Sequence, residues 1–137
     1  MLNKAKESRK YVAKASWIDF GAHRIYVRSL VEGKVARCLQ NFLEGQKIKN
    51  WEYEPQTFWF ESIKRGVRSY KPDFKVTLLD DTHFWIEVKG YMDAKSKTKL
   101  KRFSKYFPEE NFIIVNSNNY LKIAIILQNG GPFEKVT

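Results

Sequence analysis

The chain is predicted to belong to the α/β or α+β class, on three observations read from its 137 residues. Ser29 opens a segment whose apolar residues recur at helical spacing, and residues 48 to 60, 73 to 79 and 83 to 89 read as strands. Residues 93 to 107 then return to helical spacing ahead of a wholly apolar NFIIV run. Helix, about three strands, helix and strand is the resulting order. The length suits one core, so residues 15–137 are assigned to a single domain.

Residues 1–14 carry Lys4, Lys6, Arg9, Lys10 and Lys14 with little apolar content, and read as a flexible basic arm. SWIDFGAHRIYV, ending at Val27, suggests a short hairpin broken at Phe20-Gly21. Val31, Val35, Cys38, Leu39 and Phe42 then share one helical stripe over about residues 30 to 44, closed by Gly45. IKNWEYEPQTFWF alternates and is aromatic, which fits one or two strands interrupted by Pro55. ESIKRGVRSYK follows as a basic loop. Residues 73 to 79 and 83 to 89 are strands joined at Asp80-Asp81-Thr82. DAKSKTKLKRFSKYF is helical, with Leu100, Phe103 and Phe107 on one stripe and Pro108 as its stop. NFIIV is a buried strand, and LKIAIIL reads as another.

Lysine and arginine number 25 against 15 aspartates and glutamates, for a net charge of +10. That charge favours a polyanionic partner, while 43% hydrophobic and 15% aromatic content excludes a disordered polyelectrolyte. No run of about 18 apolar residues is present to span a bilayer, and MLNKAKESRK lacks the apolar stretch of a signal peptide. Nucleic acid rather than membrane is therefore the expected partner, and the cytoplasm the expected compartment. A single cysteine, Cys38, excludes an internal disulfide and a Cys-His zinc spacing, and reads as a small buried helical residue.

Alternation puts Phe84, Ile86 and Val88 on one face and Trp85, Glu87 and Lys89 on the other. Burying the first set against Phe74, Val76 and Leu78 predicts 78 opposite 84, 76 opposite 86 and 74 opposite 88. That register sets Asp73 opposite Lys89 and diagonal to Glu87. At about 100° per residue, Glu32 lies within about 60° of Val35, Ala36 and Leu39 and leans toward the packed side of its helix. The plainer reading of Glu32 is a capping box, Ser29-Leu-Val-Glu32, in which the carboxylate bonds the Ser29 N–H.

Carboxylates gathered beside a lysine suit phosphodiester hydrolysis. They can hold a hard divalent ion such as Mg²⁺, while the ammonium orients a water or steadies developing negative charge. The bland alternative is a Glu87–Lys89 ion pair on a solvated sheet, worth at most ~1 kcal/mol. A Pro-Asp pair upstream and an inward glutamate favour the metal site.

Pro72-Asp73 followed by Glu87-Val88-Lys89 resembles the PD-(D/E)XK nuclease superfamily. Taken in order, SLVEGKVARCL, WEYEP, YKPDF and EVKG resemble the phage endonuclease I group of Holliday-junction resolvases, across roughly residues 28 to 117. The resemblance implies a restriction-endonuclease-like αβββαβ core, a central mixed sheet flanked by helices. It also implies a metal site of Asp73, Glu87, the Val88 carbonyl and Glu32, a catalytic set of Glu32, Asp73, Glu87 and Lys89, and Gly90 as the small residue after the lysine. Mg²⁺ would be the cofactor, with Mn²⁺ able to substitute. The implied protein is a homodimer that cuts four-way or branched DNA and leaves 5′-phosphate ends.

Two basic surfaces are expected to contact the DNA backbone. Lys95, Lys97, Lys99, Lys101, Arg102 and Lys105 lie off the apolar stripe of their helix, and Lys64, Arg65, Arg68 and Lys71 lead into Asp73. Trp51, Tyr53, Trp59 and Trp85 are expected in the core, with base stacking as the second reading. His23 and His83 are isolated, His83 sharing the Glu87 face. Two other functions stay open: a sequence-specific or general duplex endonuclease, and a non-catalytic nucleic-acid-binding protein. The latter accounts for the charge but not for clustered acids that would repel phosphate.

Overall fold

A computed structural model describes residues 15–21 and 23–131; the basic arm expected over residues 1–14 lies outside them. In chain order the elements are β1 (Ser16–Asp19), β2 (Arg24–Val27), α1 (Leu30–Glu44), β3 (Asn50–Tyr53), β4 (Phe58–Trp59) and β5 (Ser69–Tyr70). There follow β6 (Phe74–Thr77), β7 (His83–Val88), α2 (Ala94–Tyr106), β8 (Phe112–Val115) and α3 (Lys122–Gln128). Four strands form a mixed sheet in the order β3-β6-β7-β8. The first three are antiparallel, and β8 runs parallel to β7 because α2 carries the chain back to the starting edge between them. β1 pairs with β2, and β4 with β5, as separate two-stranded ribbons. No helix among the described residues is long and apolar enough to cross a membrane.

Both faces of the sheet are covered. On one face Trp51, Phe74, Val76, Phe84 and Ile86 pack with Val35, Ala36 and Leu39 of α1 and with Ile123 and Leu127 of α3. On the other, Trp85 is enclosed by Phe58, Phe60 and Tyr70 of the β4–β5 region and by Leu100 and Phe103 of α2. Helix α1 starts as its sequence directs, with the Glu32 N–H donating to Ser29 Oγ at 3.2 Å, and it ends at Gly45. The buried Trp51 Nε1–H donates to Gln40 Oε1 at 2.9 Å, so neither buried polar group is left unpaired.

The expected hairpin before Val27, the helix over 30–44 and the division of strands at Pro55 are present; NFIIV also forms a strand, but only Val115 of it is buried, and Phe112, Ile113 and Ile114 are half-buried. Three expectations are corrected. First, Phe74 pairs with Ile86 and Val76 with Phe84, two residues away from the anticipated register. The cause is the turn. The Leu78 N–H donates to the Thr82 carbonyl at 2.8 Å and the Asp81 N–H to the Leu78 carbonyl at 3.0 Å, while Asp81 takes a left-handed φ of 71°. The loop is therefore Leu79-Asp80-Asp81, a three-residue hairpin turn closed by an αL residue, instead of residues 80–82. Moving a turn by one residue moves the pairing by two, which preserves each side chain's face but brings Asp73 opposite Glu87 instead of Lys89.

Second, LKIAIIL forms helix α3 and not a strand. Ile123 and Leu127, four residues apart, are buried, whereas Ile125 is 62% exposed. A strand would send all three to the same side, but a run that is apolar at nearly every position gives no period to read. Third, the basic loop over residues 61–71 contains β5, whose Tyr70 pairs with Phe58 and Ser69 with Trp59.

The helical seating of α3 predicts an uneven cost of truncation. Ile123→Ala and Leu127→Ala should each destabilise by ~2–4 kcal/mol, and Ile125→Ala by no more than ~0.5 kcal/mol, measured by urea unfolding. Equal losses at all three positions would mean that the segment is a strand.

Candidate functional site

The site forms where β6 begins and β7 ends. Alternation and the observed register put Asp73 and Glu87 on the same face of the sheet, on adjacent strands. Glu32 approaches from the first turn of α1, and Lys89 follows directly after β7. All four line one open cavity of about 620 Å³, together with Val88, Glu54, Tyr70, Lys71 and Lys99. The structure thus brings together the four acidic and basic side chains singled out from the sequence.

Pro72 and Asp73 divide the work of ending the ladder. Continuing the Phe74–Ile86 register sets Pro72 opposite Val88. A proline has no N–H, so β6 offers the Val88 carbonyl no ladder donor. The Val88 N–H meanwhile donates to Asp73 Oδ2 at 2.7 Å. That bond fixes the carboxylate at the cavity wall.

Burial pushes the Asp73 carboxyl up to about 8, an effect increased by hydrogen bonding to Glu87 and by the charges of Glu87 and Glu54, and opposed by the Val88 N–H. Glu87 is held from the other side by the Tyr70 hydroxyl, which donates to Glu87 Oε2 at 2.8 Å. Burial first, and then the Glu87 carboxylate, raise the Tyr70 hydroxyl well above its ordinary range, so it remains a donor. The Glu32 carboxylate accepts from the Arg28 N–H at 2.7 Å and from the Tyr53 hydroxyl at 3.2 Å. The anticipated capping box is therefore only half formed: Ser29 Oγ caps the helix, but the Glu32 carboxylate returns to Arg28 instead of Ser29. Burial raises the Glu32 carboxyl, the Arg28 N–H opposes that rise, and the charge of Asp73 adds to it.

The mouth of the cavity is neutralised differently. Glu54 has a left-handed φ of 48°, uncommon for a residue with a side chain, and its N–H donates to the Asp73 carbonyl at 2.8 Å. Its carboxylate pairs with Arg28 at 2.5 Å and with Lys71 at 3.0 Å. Burial would raise that carboxyl, but hydrogen bonds and charge from Lys71 and Arg28 outweigh it and hold the group below its ordinary value.

Among the described residues, no three His, Cys, Asp or Glu side chains stand close enough to hold a metal ion together. Of the expected set, Asp73 and Glu87 meet across adjacent strands, while the Glu32 carboxylate is tied to Arg28 and Tyr53. Two carboxylates and a backbone carbonyl are nevertheless a donor set that suits Mg²⁺, which binds few protein oxygens and keeps several waters.

Of the ten basic residues assigned to DNA, Lys71 and Lys99 line the cavity. Arg102 has a structural bond, from Nη1 to the Val67 carbonyl, which ties the preceding loop to α2. Lys105 lies over the Tyr106 ring, and Arg68 lines a neighbouring hollow. Lys64, Arg65, Lys95, Lys97 and Lys101 are exposed and do not line the cavity. His83 bonds Glu110 at 2.7 Å, sharing that carboxylate oxygen with Trp85 Nε1, and lies away from the site. Sequence reasoning missed Arg28, Tyr53, Glu54 and Tyr70. The signal for Tyr70 was its place just ahead of Pro72-Asp73, but its reach to Glu87 depends on how β5 folds over α2. No protein-family model, curated protein or solved structure matches this chain.

A pH dependence follows from Asp73. Its folded value is raised above the ordinary 3.8, so the folded state binds this proton more tightly than the unfolded chain does. The stability it contributes is complete at acid pH and is lost as pH rises from about 4 toward about 8. With chelator present, the wild type should lose more stability across that window than Asp73→Asn, by ~1.4 kcal/mol or more, the equivalent of one pKa unit. Parallel urea profiles for the two proteins would show that another group governs the slope.

Proposed function

We propose that this chain is a Mg²⁺-dependent endodeoxyribonuclease that hydrolyses phosphodiester bonds in branched DNA, four-way junctions included, and acts as a homodimer. The observation that carries the reading is the meeting of Asp73 and Glu87, from adjacent strands, with Lys89 in a cavity also lined by Lys71 and Lys99. The buried Asp73 carboxyl, whose proton affinity burial and the adjoining Glu87 charge both raise, calls for a cation, which would also ease the approach of a polyanionic substrate. The ordered resemblance of residues 28 to 117 to the PD-(D/E)XK superfamily and its phage endonuclease I group supports the same reading.

Asp73, Glu87 and the Val88 carbonyl would hold the ion, which supplies charge neutralisation on the phosphate and an acidified water. The remaining roles fall to side chains. Lys89 places an ammonium where it can orient the attacking water and offset negative charge on the phosphoryl oxygens. Tyr70 keeps Glu87 from turning away. Glu32, braced by Arg28 and Tyr53, supports the site from the helix. Lys71 and Lys99 meet the flanking phosphates, contacts that confer salt-sensitive affinity without reading sequence. The described residues of each chain hold one such cluster, so cutting both strands of a symmetric junction takes two copies.

The test compares a four-way junction, a linear duplex and single strands, each with Mg²⁺ and with chelator. Cutting should require the metal and favour the junction. Lys89→Ala and Asp73→Asn should each slow it by ~10²-fold or more while junction binding persists. Indifferent cutting of all three substrates would remove the selectivity for branches. Tight binding without any cleavage would identify a non-catalytic binding protein.

A further inference from the structure

Two of the four tryptophans are exposed, Trp17 by 61% and Trp59 by 55%, and their surroundings differ. The Trp17 ring meets Tyr26 at 5.3 Å and the Arg24 guanidinium at 4.9 Å. Trp59 has no aromatic or cationic ring partner among the described residues. Its backbone is nonetheless fixed. Phe58 and Phe60 on either side are buried in the second core, the Phe60 N–H donates to the Arg68 carbonyl at 2.8 Å, and alternation along β4 sends the Trp59 indole outward. Its cross-strand neighbour is Ser69, too small to cover the ring.

The indole lines two hollows at once. One is the cavity of about 620 Å³ that holds Asp73, Glu87 and Lys89. The other, of about 260 Å³, is lined by Trp59, Phe60, Glu61, Ile63 and Arg68. Trp59 is thus a ridge between the acid-floored site and a hollow with its own guanidinium.

We propose that Trp59 is a stacking platform for an unpaired nucleobase next to the scissile phosphate, an inference that rests on the nuclease reading above. A phosphate drawn to Lys89 and Lys99 places the adjoining nucleotide against the cavity wall, where an uncovered indole face is available. Every base has a π-face, so the contact tolerates any sequence. A base inside a continuous duplex is already stacked on both sides and would have to be unstacked first. A base at a branch point or a frayed end is free. Arg68, beyond the ridge, is positioned for the next phosphate along that strand. Trp59 thereby favours DNA with an unpaired nucleotide at the cut, a selectivity that phosphate contacts alone do not supply.

The test uses wild type, Trp59→Ala, Trp59→Phe and Trp17→Ala, with chelator present so that nothing is cut. The probe is a short single-stranded oligothymidylate carrying one 2-aminopurine. Wild type and Trp17→Ala should bind it and quench its fluorescence. Trp59→Ala should lose the quenching and bind at least ~5-fold more weakly, the low end of a base–aromatic stack, and Trp59→Phe should recover part of both. Binding and quenching by Trp59→Ala equal to those of wild type would overturn the proposal. If that result came with Mg²⁺-dependent junction cutting by wild type, the stacking site alone would fall. If Trp59-dependent quenching came without any cutting, the stacking site would stand and the nuclease reading would fall.

Discussion

Two like-charged carboxylates directly opposite one another on neighbouring strands are an arrangement that a sheet ordinarily avoids, and the site depends on its being enforced. Asp73 and Glu87 cannot separate by a slip of the ladder, because a one-residue slip would turn Phe74, Val76, Phe84 and Ile86 out of the core they fill. A two-residue slip would keep that face but is opposed by the turn, where Asp81 already occupies a left-handed conformation. Packing on one face thus offsets repulsion on the other. The Val88 N–H and the Tyr70 hydroxyl then hold each carboxylate individually. A local conflict tolerated because the rest of the fold agrees with itself is what a functional site looks like in energetic terms.

Charge around the cavity is zoned by the same economy of partners. Arg28 serves two acids at once: its backbone N–H bonds Glu32 and its guanidinium bonds Glu54. Glu54 in turn engages Lys71 through its carboxylate and Asp73 through its N–H. The turn ahead of α1, the end of β3 and the start of β6 are therefore linked through one short network at the mouth. The interior pair lies outside that network. Arg28 and Lys71 are taken up by Glu54, and among the described residues neither Asp73 nor Glu87 has a salt bridge, a polarity suited to a cation beside that pair and a polyanion across the opening.

What the sequence made legible follows from which constraints are local. Ser29 and Gly45 bound α1 through caps formed within a few residues, and Asp93 does the same for α2 by accepting the Ser96 N–H. Strand faces were legible because apolar alternation decides them, and the convergence of Asp73 with Glu87 followed from those faces. Pairing step was not legible, since shifting by two residues leaves every face unchanged and only the conformation of Asp81 decides between the options. LKIAIIL misled because a segment apolar on all sides carries no period. Trp59 and Trp85 both sit on alternating strands, and which of them is covered depends on α2 and the β4–β5 ribbon folding over one side of the sheet. Tyr70 was hidden for the same reason: a two-residue strand has no pattern of its own.

The position of the site at a strand end has a chemical cause. Within a regular ladder every carbonyl on a central strand is matched by an N–H, and none is free for other work. Pro72 has no N–H to offer the carbonyl opposite it, and the Val88 N–H bonds the Asp73 side chain. The dipeptide so converts the end of a hydrogen-bonded ladder into a cluster of oxygens without leaving the Val88 N–H unpaired. The acidic pair and the Val88 carbonyl therefore lie together where β6 stops being able to act as a strand.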